Sequence, residues 1–214
     1  MFNRPVYIYL NGDTLPGDIP ASGSRGLLIA VDGGARHYHA LDLLPDLLIG
    51  DLDSITPDDR AWCAAGEVEI RQYPREKDDV DFELALRLAL GRSRGAVVVY
   101  GGLGGRLDHT LANISILAGP TQAGRQVELR RGEERVFFVG REVKFTAQPG
   151  SIVSLLPWGE VCSGVTTSGL RYPLVEETLF AERSRGVSNE VLTGAVEIRC
   201  RKGNLLCVVN PSSF

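Results

Sequence analysis

The 214-residue sequence has few cysteines and histidines and lacks a long apolar run. Its 4 cysteines are scattered without a Cys-x-x-Cys pair, which argues against a zinc site and predicts reduced, partly buried thiols. No apolar stretch approaches the roughly 20 residues that a membrane-spanning helix needs. The first residues also lack the basic region and cleavage site of a secretory signal. These absences predict a cytoplasmic protein with no membrane partner.

The charge balance argues against a further class of partner. The sequence has 23 Lys and Arg against 27 Asp and Glu, a net charge of -4 and a pI near 5.5. This balance gives no electrostatic reason to expect nucleic-acid binding. Because 43% of the residues are hydrophobic, the chain can form a sizeable core. We therefore expect a globular protein that acts on a small molecule.

The first part of the chain alternates between two patterns. Through about residue 124, short apolar runs suited to buried strands are followed by helical patterns. This alternation predicts an α/β domain over residues 1–124 with a mainly parallel, Rossmann-like sheet. The predicted strands span residues 6–10, 27–32, 46–49, 68–73 and 96–100. The predicted helices span residues 35–44, 56–65, 82–90 and 108–117.

From residue 126 the pattern changes to β-rich segments separated by turns. The change predicts a second domain, an all-β sandwich over residues 125–214. Its predicted strands span residues 127–131, 135–139, 142–147, 152–157, 196–200 and 205–209. Segment 118–124, with its glycines and proline, is the predicted junction.

Three acidic stretches lie where a predicted strand or helix meets a loop, at residues 32–34, 50–54 and 77–81. Carboxylates at strand ends are well placed to hold Mg²⁺ against the phosphates of a substrate. Asp51 and Asp53 are separated by one residue and share a side in extended geometry, where they repel unless a cation lies between them. Solvated loop acids explain this pair about equally well.

The third acidic stretch also has two interpretations. Asp78, Asp79 and Asp81 precede the helical pattern that begins at Phe82, where they could cap the helix and compensate its dipole. A third carboxylate, with Lys77 beside the cluster, is easier to explain if a cation and an anion both bind there. Asp81 is the preferred metal ligand of the three, but the residues alone do not separate ligand from cap.

A glycine-rich run, residues 101–106, follows the predicted strand 96–100 and precedes a helix. Its backbone N–H groups and the Arg106 guanidinium could bind an anion. The run matches neither a Walker A loop nor Gly-x-Gly-x-x-Gly, so a plain glycine turn is the alternative. His109 could bond a phosphate, orient a carboxylate or pack at the helix start.

In this order and spacing, these stretches strongly resemble the motifs of the thiamine pyrophosphokinase family. Residues 165–170 and 188–189 extend the resemblance into the β-rich half, so it covers nearly the whole chain. The resemblance implies transfer of a diphosphate group from ATP to the hydroxyl of thiamine, giving AMP and thiamine diphosphate. It also implies Mg²⁺ dependence, an α/β catalytic domain, a β-sandwich domain and a homodimer with the thiamine site at the subunit interface.

The resemblance implies roles for individual residues. The metal ligands are expected to be Asp51, Asp53 and Asp81. Asp108 joins them in the catalytic set, and either Asp81 or Asp108 could accept the alcohol proton. The residues expected to contact ATP or organise its cleft are Asp32, Gly33, Lys77, Gly102, Arg106 and His109. Those expected to contact thiamine are Tyr172, Ser188 and Asn189, with Tyr172 standing where many relatives have a stacking tryptophan.

Two other functions compete with this one. A diphosphokinase that acts on a hydroxymethylpterin would keep ATP and change the acceptor. A regulatory module that binds nucleotide without catalysis would keep the fold, with its catalytic residues serving only structural roles. The complete set of acidic motifs argues against the regulatory module.

Overall fold

The structure, a computed structural model, describes residues 3–18, 20, 26–76, 79–159 and 161–212. It contains two compact units. The first comprises Met1–Ile116 and Arg125–Gly132, and the second comprises Leu117–Gly124 and Glu133–Phe214. This division differs from the predicted domains 1–124 and 125–214 in two segments: segment 117–124 belongs to the second unit, and segment 125–132 belongs to the first. Segment 125–132 joins the first unit because its strand pairs with a strand of that unit.

The first unit contains a parallel β-sheet. Its strands are β1 (Val6–Tyr9), β2 (Leu27–Val31), β3 (Leu47–Gly50), β4 (Glu69–Gln72), β5 (Val97–Tyr100) and β6 (Val127–Arg131). They lie in the order β6-β5-β1-β2-β3-β4, and each neighbouring pair is parallel. β1, β3 and β5 are buried throughout, as expected for parallel strands covered on both faces. The strands predicted between residues 6 and 100 are confirmed within two residues at each end.

Helices follow the strands of the first unit. They are α1 (Ala35–Ala40), α2 (Pro57–Ala65), α3 (Asp81–Arg92) and α4 (Leu107–Ile116), with a 3₁₀ turn at Asp32–Gly34 before α1. The start of α2 shows why a helix forms there, since Pro57 occupies its first turn and the Thr56 hydroxyl accepts from the Asp59 N–H at 3.1 Å. No helix in the described ranges is long and apolar enough to cross a membrane.

The strand order creates a reversal point at the centre of the sheet. From β1 the chain proceeds outward through β2, β3 and β4, and then returns to β5 on the other side of β1. Loops at the carboxyl ends of β1 and β5 therefore diverge. In open α/β sheets such a divergence forms the crevice in which ligands bind.

The described residues of the second unit form antiparallel strands and one short helix. The helix is α5 (Ala118–Gln122). The strands are β7 (Glu134–Val139), β8 (Glu142–Thr146), β9 (Ile152–Pro157), β10 (Cys162–Ser168), β11 (Glu177–Leu179), β12 (Asn189–Glu190), β13 (Ala195–Arg199) and β14 (Leu205–Asn210). They lie in two sets, β12-β9-β14-β7 and β11-β10-β13-β8, and the pairs within each set are antiparallel.

The six strands predicted after residue 126 are confirmed, but the prediction missed three others. β10 contains serine, glycine and threonine rather than an apolar alternation, and β11 and β12 have only 3 and 2 residues. Part of the predicted junction 118–124 is the helix α5 rather than a loop, with Pro120 near its start, where a missing N–H costs little. The Rossmann-like and sandwich descriptions stay predictions.

Candidate active site

Three carboxylates converge beyond the carboxyl ends of β2 and β3. Asp32 follows β2, Asp51 follows β3, and Asp81 begins α3. Each offers one oxygen to a group in which these oxygens all lie within 4.8 Å of one another, and Oδ1 of Asp81 is buried. Like charges at this spacing repel unless a cation or a proton lies among them. The group therefore has the form of a cation site.

The Asp32 carboxylate shapes the loop that carries Asp51. Its Oδ1 accepts a hydrogen bond from the Leu52 N–H at 2.9 Å. Leu52 has a φ of 63° and Asp32 a φ of 46°, both in the left-handed region that costs energy for a residue with a side chain. A Cβ built on Gly50 would overlap Asp32 Oδ1, so residue 50 has room only for glycine. Strain and close packing together fix this loop.

The electrostatics of Asp32 are those of a carboxylate that a cation would stabilise. The pKa of its carboxyl is raised to about 7, chiefly by burial and also by the charges of Asp81, Asp51 and Asp53, while the hydrogen bond from the Leu52 N–H acts to lower it. The three oxygens of this group all belong to carboxylates, which hard cations such as Mg²⁺ prefer. The residues present therefore fit Mg²⁺. The prediction paired Asp51 and Asp81 with Asp53 and placed Asp32 elsewhere in the cleft.

Asp53 lies outside this group of described carboxylates. Its carboxylate is exposed and lies 3.6 Å from the Arg75 guanidinium, while its N–H donates to Asp51 Oδ1 at 3.0 Å. In this arrangement Asp53 orients Asp51 through its backbone. Its role as a metal ligand stays a prediction.

The residues of the third acidic stretch, 77–81, do not share one environment. Lys77 and Asp78 lie outside the described residues. Asp79 forms an ion pair with Arg87 at 2.9 Å. Asp81 occupies the first turn of α3, where its charge also suits the helix dipole. The capping and cation-binding interpretations of Asp81 are thus compatible.

The glycine-rich run forms a loop between β5 and α4, residues 101–106, called here the glycine loop. Positive φ values of 70°, 82° and 67° occur at Gly101, Gly104 and Gly105, which only glycine adopts without strain. Gly101 and Gly102 are buried, whereas Gly104 and Gly105 are exposed. The loop thus has an anchored beginning and an accessible tip.

Three carbonyl groups of the glycine loop are held by the protein. The bonds run from Gly12 N to Gly101 O at 3.2 Å, from Asn113 Nδ2 to Gly102 O at 3.0 Å and from Thr110 Oγ1 to Gly104 O at 3.1 Å. In a trans peptide the N–H points opposite to the carbonyl of the same unit. The N–H groups that follow these carbonyls therefore point away from the anchors, as an anion-binding loop requires. The prediction missed Thr110 and Asn113, although their spacing of three places both on one helical face.

Arg106 and Asp108 form an exposed pair beside the glycine loop. Nη2 of Arg106 lies 2.6 Å from Oδ2 of Asp108. The bond with Arg106 lowers the pKa of Asp108 and raises that of Arg106. Asp108 Oδ1 also accepts from the N–H of His109, whose side chain is exposed.

Gly33, another predicted ATP contact, is buried and donates its N–H to Ser54 Oγ at 3.1 Å.

The predicted thiamine contacts lie in the second unit. Tyr172 is 60% exposed, and Asn189 is only 6% exposed. The Asn189 amide brackets the Tyr172 backbone, accepting from its N–H at 3.0 Å and donating to its carbonyl at 2.7 Å. Ser188 is exposed, has a φ of 58° and donates its N–H to Ser154 Oγ at 3.0 Å. Asn189 thus positions Tyr172, and the ligand roles stay predictions.

The first unit has the arrangement of an α/β protein that binds an anionic ligand at the carboxyl edge of its sheet, with carboxylates on one side of the reversal point and a glycine loop on the other. Residues 23–129 match the family described as thiamin pyrophosphokinase, catalytic domain, and residues 141–205 match thiamin pyrophosphokinase, vitamin B1 binding domain. The chain belongs to the thiamine pyrophosphokinase family. The predicted family is confirmed.

Individual relatives resemble the chain along most of its length. Thiamine pyrophosphokinase from Bacillus subtilis is 27% identical over 184 residues, which cover 85% of this chain and 86% of the relative. A crystal structure of the enzyme from Bacillus subtilis has a TM-score of 0.88 at 25% identity and covers 98% of this chain and 100% of that chain. The yeast thiamin pyrophosphokinase structure shares the fold, with a TM-score of 0.78 at 18% identity, covering 98% of this chain and 86% of that chain.

Proposed function

We propose that this chain transfers a diphosphate group from ATP to the hydroxyl of thiamine, giving thiamine diphosphate and AMP. The observation that carries the proposal is the placement of the Asp32, Asp51 and Asp81 carboxylates on one side of the reversal point and the glycine loop on the other. β3 and β5 are three strand spacings apart, or about 14 Å. An extended polyphosphate can contact both features, whereas a single phosphate cannot.

Mg²⁺ is the proposed metal, held by Asp32, Asp51 and Asp81. When bound, it would neutralise phosphate charge and help fix the polyphosphate for in-line attack by the alcohol. The glycine loop would donate backbone N–H groups to phosphate oxygens, and Arg106 would add a guanidinium.

The proton acceptor is a separate question from the metal ligands. The ion pair with Arg106 lowers the pKa of Asp108, which makes Asp108 the poorer base of the two predicted candidates. We assign Asp108 to holding the Arg106 guanidinium in place. Asp81 remains the candidate that accepts the alcohol proton.

In the second unit, the exposed ring of Tyr172 is proposed to stack on thiamine. Thiamine carries a positively charged thiazolium ring, and aromatic faces attract cations as well as flat rings. The exposed hydroxyl of Ser188 is available as a second contact. Asn189 supports the tyrosine by fixing its backbone, and Ser154 holds the backbone N–H of Ser188.

A homodimer with the thiamine site at the subunit interface is also part of the proposal. Leu107 and Leu111 lie one helical turn apart on α4 and are 71% and 44% exposed, which favours cover by a second copy. Sedimentation velocity would test this, with a monomer at micromolar concentration as the contradicting result.

The four free, buried cysteines support a cytoplasmic location, where disulfides are rare.

The function is tested by following AMP formation from ATP and Mg²⁺ with thiamine, or with 6-hydroxymethylpterin, as the acceptor. We expect AMP and thiamine diphosphate in equal amounts, with loss of turnover when EDTA removes the metal. Diphosphorylation of the pterin without turnover of thiamine would overturn the proposed acceptor. ATP binding without AMP formation would instead support a regulatory module.

A further inference from the structure

We infer that Arg131 binds the polyphosphate of ATP together with the glycine loop, an inference that rests on the proposed function. Arg131 is the last residue of β6 and belongs to the first unit. It lies between the two matched family ranges, 23–129 and 141–205, and so in neither of them. No feature of the sequence singles it out from the other arginines.

The strand register brings Arg131 to the glycine loop. β6 pairs in parallel with β5, with Arg130 opposite Tyr100, so the next residues along are Arg131 and Gly101. Both chains thus reach the carboxyl edge of the sheet together. A Cβ built on Gly104 would lie 4.0 Å from the guanidinium carbon of Arg131, which places this cation against the exposed tip of the loop.

The face of β6 on which Arg131 lies is the one that packs under the glycine loop. Side chains two apart on a strand share a face, so Arg131 follows Leu129. A Cβ built on Gly102 would lie 2.9 Å from Cδ2 of Leu129. The turn after Arg131 is also fixed, because the Gly132 N–H donates to the buried carboxylate of Asp18 at 2.6 Å. The backbone at Arg131 is therefore fixed, while the Arg131 side chain remains accessible.

The charge of Arg131 is available to a ligand. It is exposed, and none of the ion pairs among the described residues includes it. Its neighbour Arg130 lies on the other face of β6 and pairs with Glu128 at 2.5 Å. An available guanidinium beside outward-pointing N–H groups suits a phosphate, which guanidinium binds in a bidentate manner. A nucleotide polyphosphate extending from the carboxylate group across the reversal point would meet this cation.

The test uses Arg131→Gln, which removes the charge, Arg131→Lys, which keeps it, and the matched control Arg130→Gln on the opposite face. Titration calorimetry measures binding of MgATP and of adenosine to the full-length protein without thiamine, and steady-state kinetics give both KM values. For Arg131→Gln we expect the Kd and KM of ATP to rise about 10- to 100-fold. Adenosine affinity and the KM of thiamine should stay within about 2-fold, and Arg131→Lys should recover part of the loss.

MgATP affinity within about 2-fold of wild type in Arg131→Gln would overturn the inference, as would an equal loss in Arg130→Gln. Thermal unfolding of each variant identifies any loss that comes from misfolding, and Arg131→Lys then supplies a folded comparison. If the wild-type protein binds MgATP but forms no AMP with thiamine, the proposed function fails. The calorimetric comparison still decides the role of Arg131 in that case.

Discussion

The two units differ in whether their clustered polar side chains repel one another or form hydrogen bonds. In the first, the carboxylates of Asp32, Asp51 and Asp81 approach one another within 4.8 Å, an arrangement that repels itself. In the second, the buried Asn189 amide is hydrogen-bonded to the backbone of Tyr172 and Glu190, and the tyrosine ring is left exposed. The first unit thus holds a group of carboxylates that repel one another. The second holds a hydrogen-bonded amide and presents an exposed aromatic ring.

This difference shows what each region reveals about its ligand. A group of like charges held by strained backbone favours a cationic ligand or a bound proton, because either one relieves the repulsion. A satisfied amide that supports an exposed ring gives no electrostatic signal and indicates only a flat contact surface. The structure therefore gives stronger grounds for proposing the cation site than for proposing the site of the organic substrate.

The largest expected effect tests whether the carboxylate group is functional. Asp51→Asn removes one charge from the group, and we expect kcat to fall about 10²- to 10⁴-fold because metal-assisted charge stabilisation contributes several kcal/mol. The fold should remain intact, since the substitution relieves repulsion. AMP formation at saturating Mg²⁺ and thermal unfolding measure the two outcomes.

Asp58→Asn is the matched control for Asp51→Asn, because Asp58 is an exposed acid in the first turn of α2. It should keep wild-type activity. If Asp51→Asn retained kcat within tenfold of wild type, the carboxylate group would have no metal role in catalysis.

A second prediction concerns the pH dependence of stability. The pKa of Asp32 is about 7 in the folded protein against an ordinary 3.8. Below about pH 4 the carboxyl is protonated in both states and contributes nothing. As the pH rises toward 7 only the unfolded chain ionises, so the folded state loses stability, and the full cost remains above 7. Discounted for partial exposure, the cost is about 1–2 kcal/mol.

Asp32→Asn should therefore be more stable than wild type by about this amount at pH 8 in EDTA, and equal to it near pH 4. Asparagine keeps an oxygen for the Leu52 N–H and tolerates the left-handed backbone. Urea unfolding at both pH values measures the difference. An equal difference at pH 4 and pH 8 would mean that ionisation of Asp32 does not cost stability.

The smallest expected effect tests the second unit. Tyr172→Ala should raise the KM of thiamine about tenfold, because stacking contributes about 0.5–1.5 kcal/mol beyond the area that the ring buries. The KM of ATP should not change. Tyr172→Phe keeps the ring and serves as the control, with near-normal kinetics expected. An effect of Tyr172→Ala on ATP alone would place the ring away from thiamine.

Much of the fold could be predicted from sequence because buried parallel strands are short apolar runs. β1, β3 and β5 are of this kind and were predicted within two residues. β10 was missed because its glycine, serine and threonine residues hide its period, and β12 is too short to show one. The segment carrying β6 was placed in the second domain because its parallel pairing with β5 is invisible to a local pattern.

The sequence by itself determined the order and spacing of the acidic and glycine-rich motifs, and with them the family. These features are local, since each lies within a few residues of a strand end. Only the tertiary structure placed Asp32 with Asp51 and Asp81, and brought Arg131 to Gly104. Such meetings depend on which strands are neighbours in the sheet, and strand order follows from long-range packing that no short stretch of residues contains.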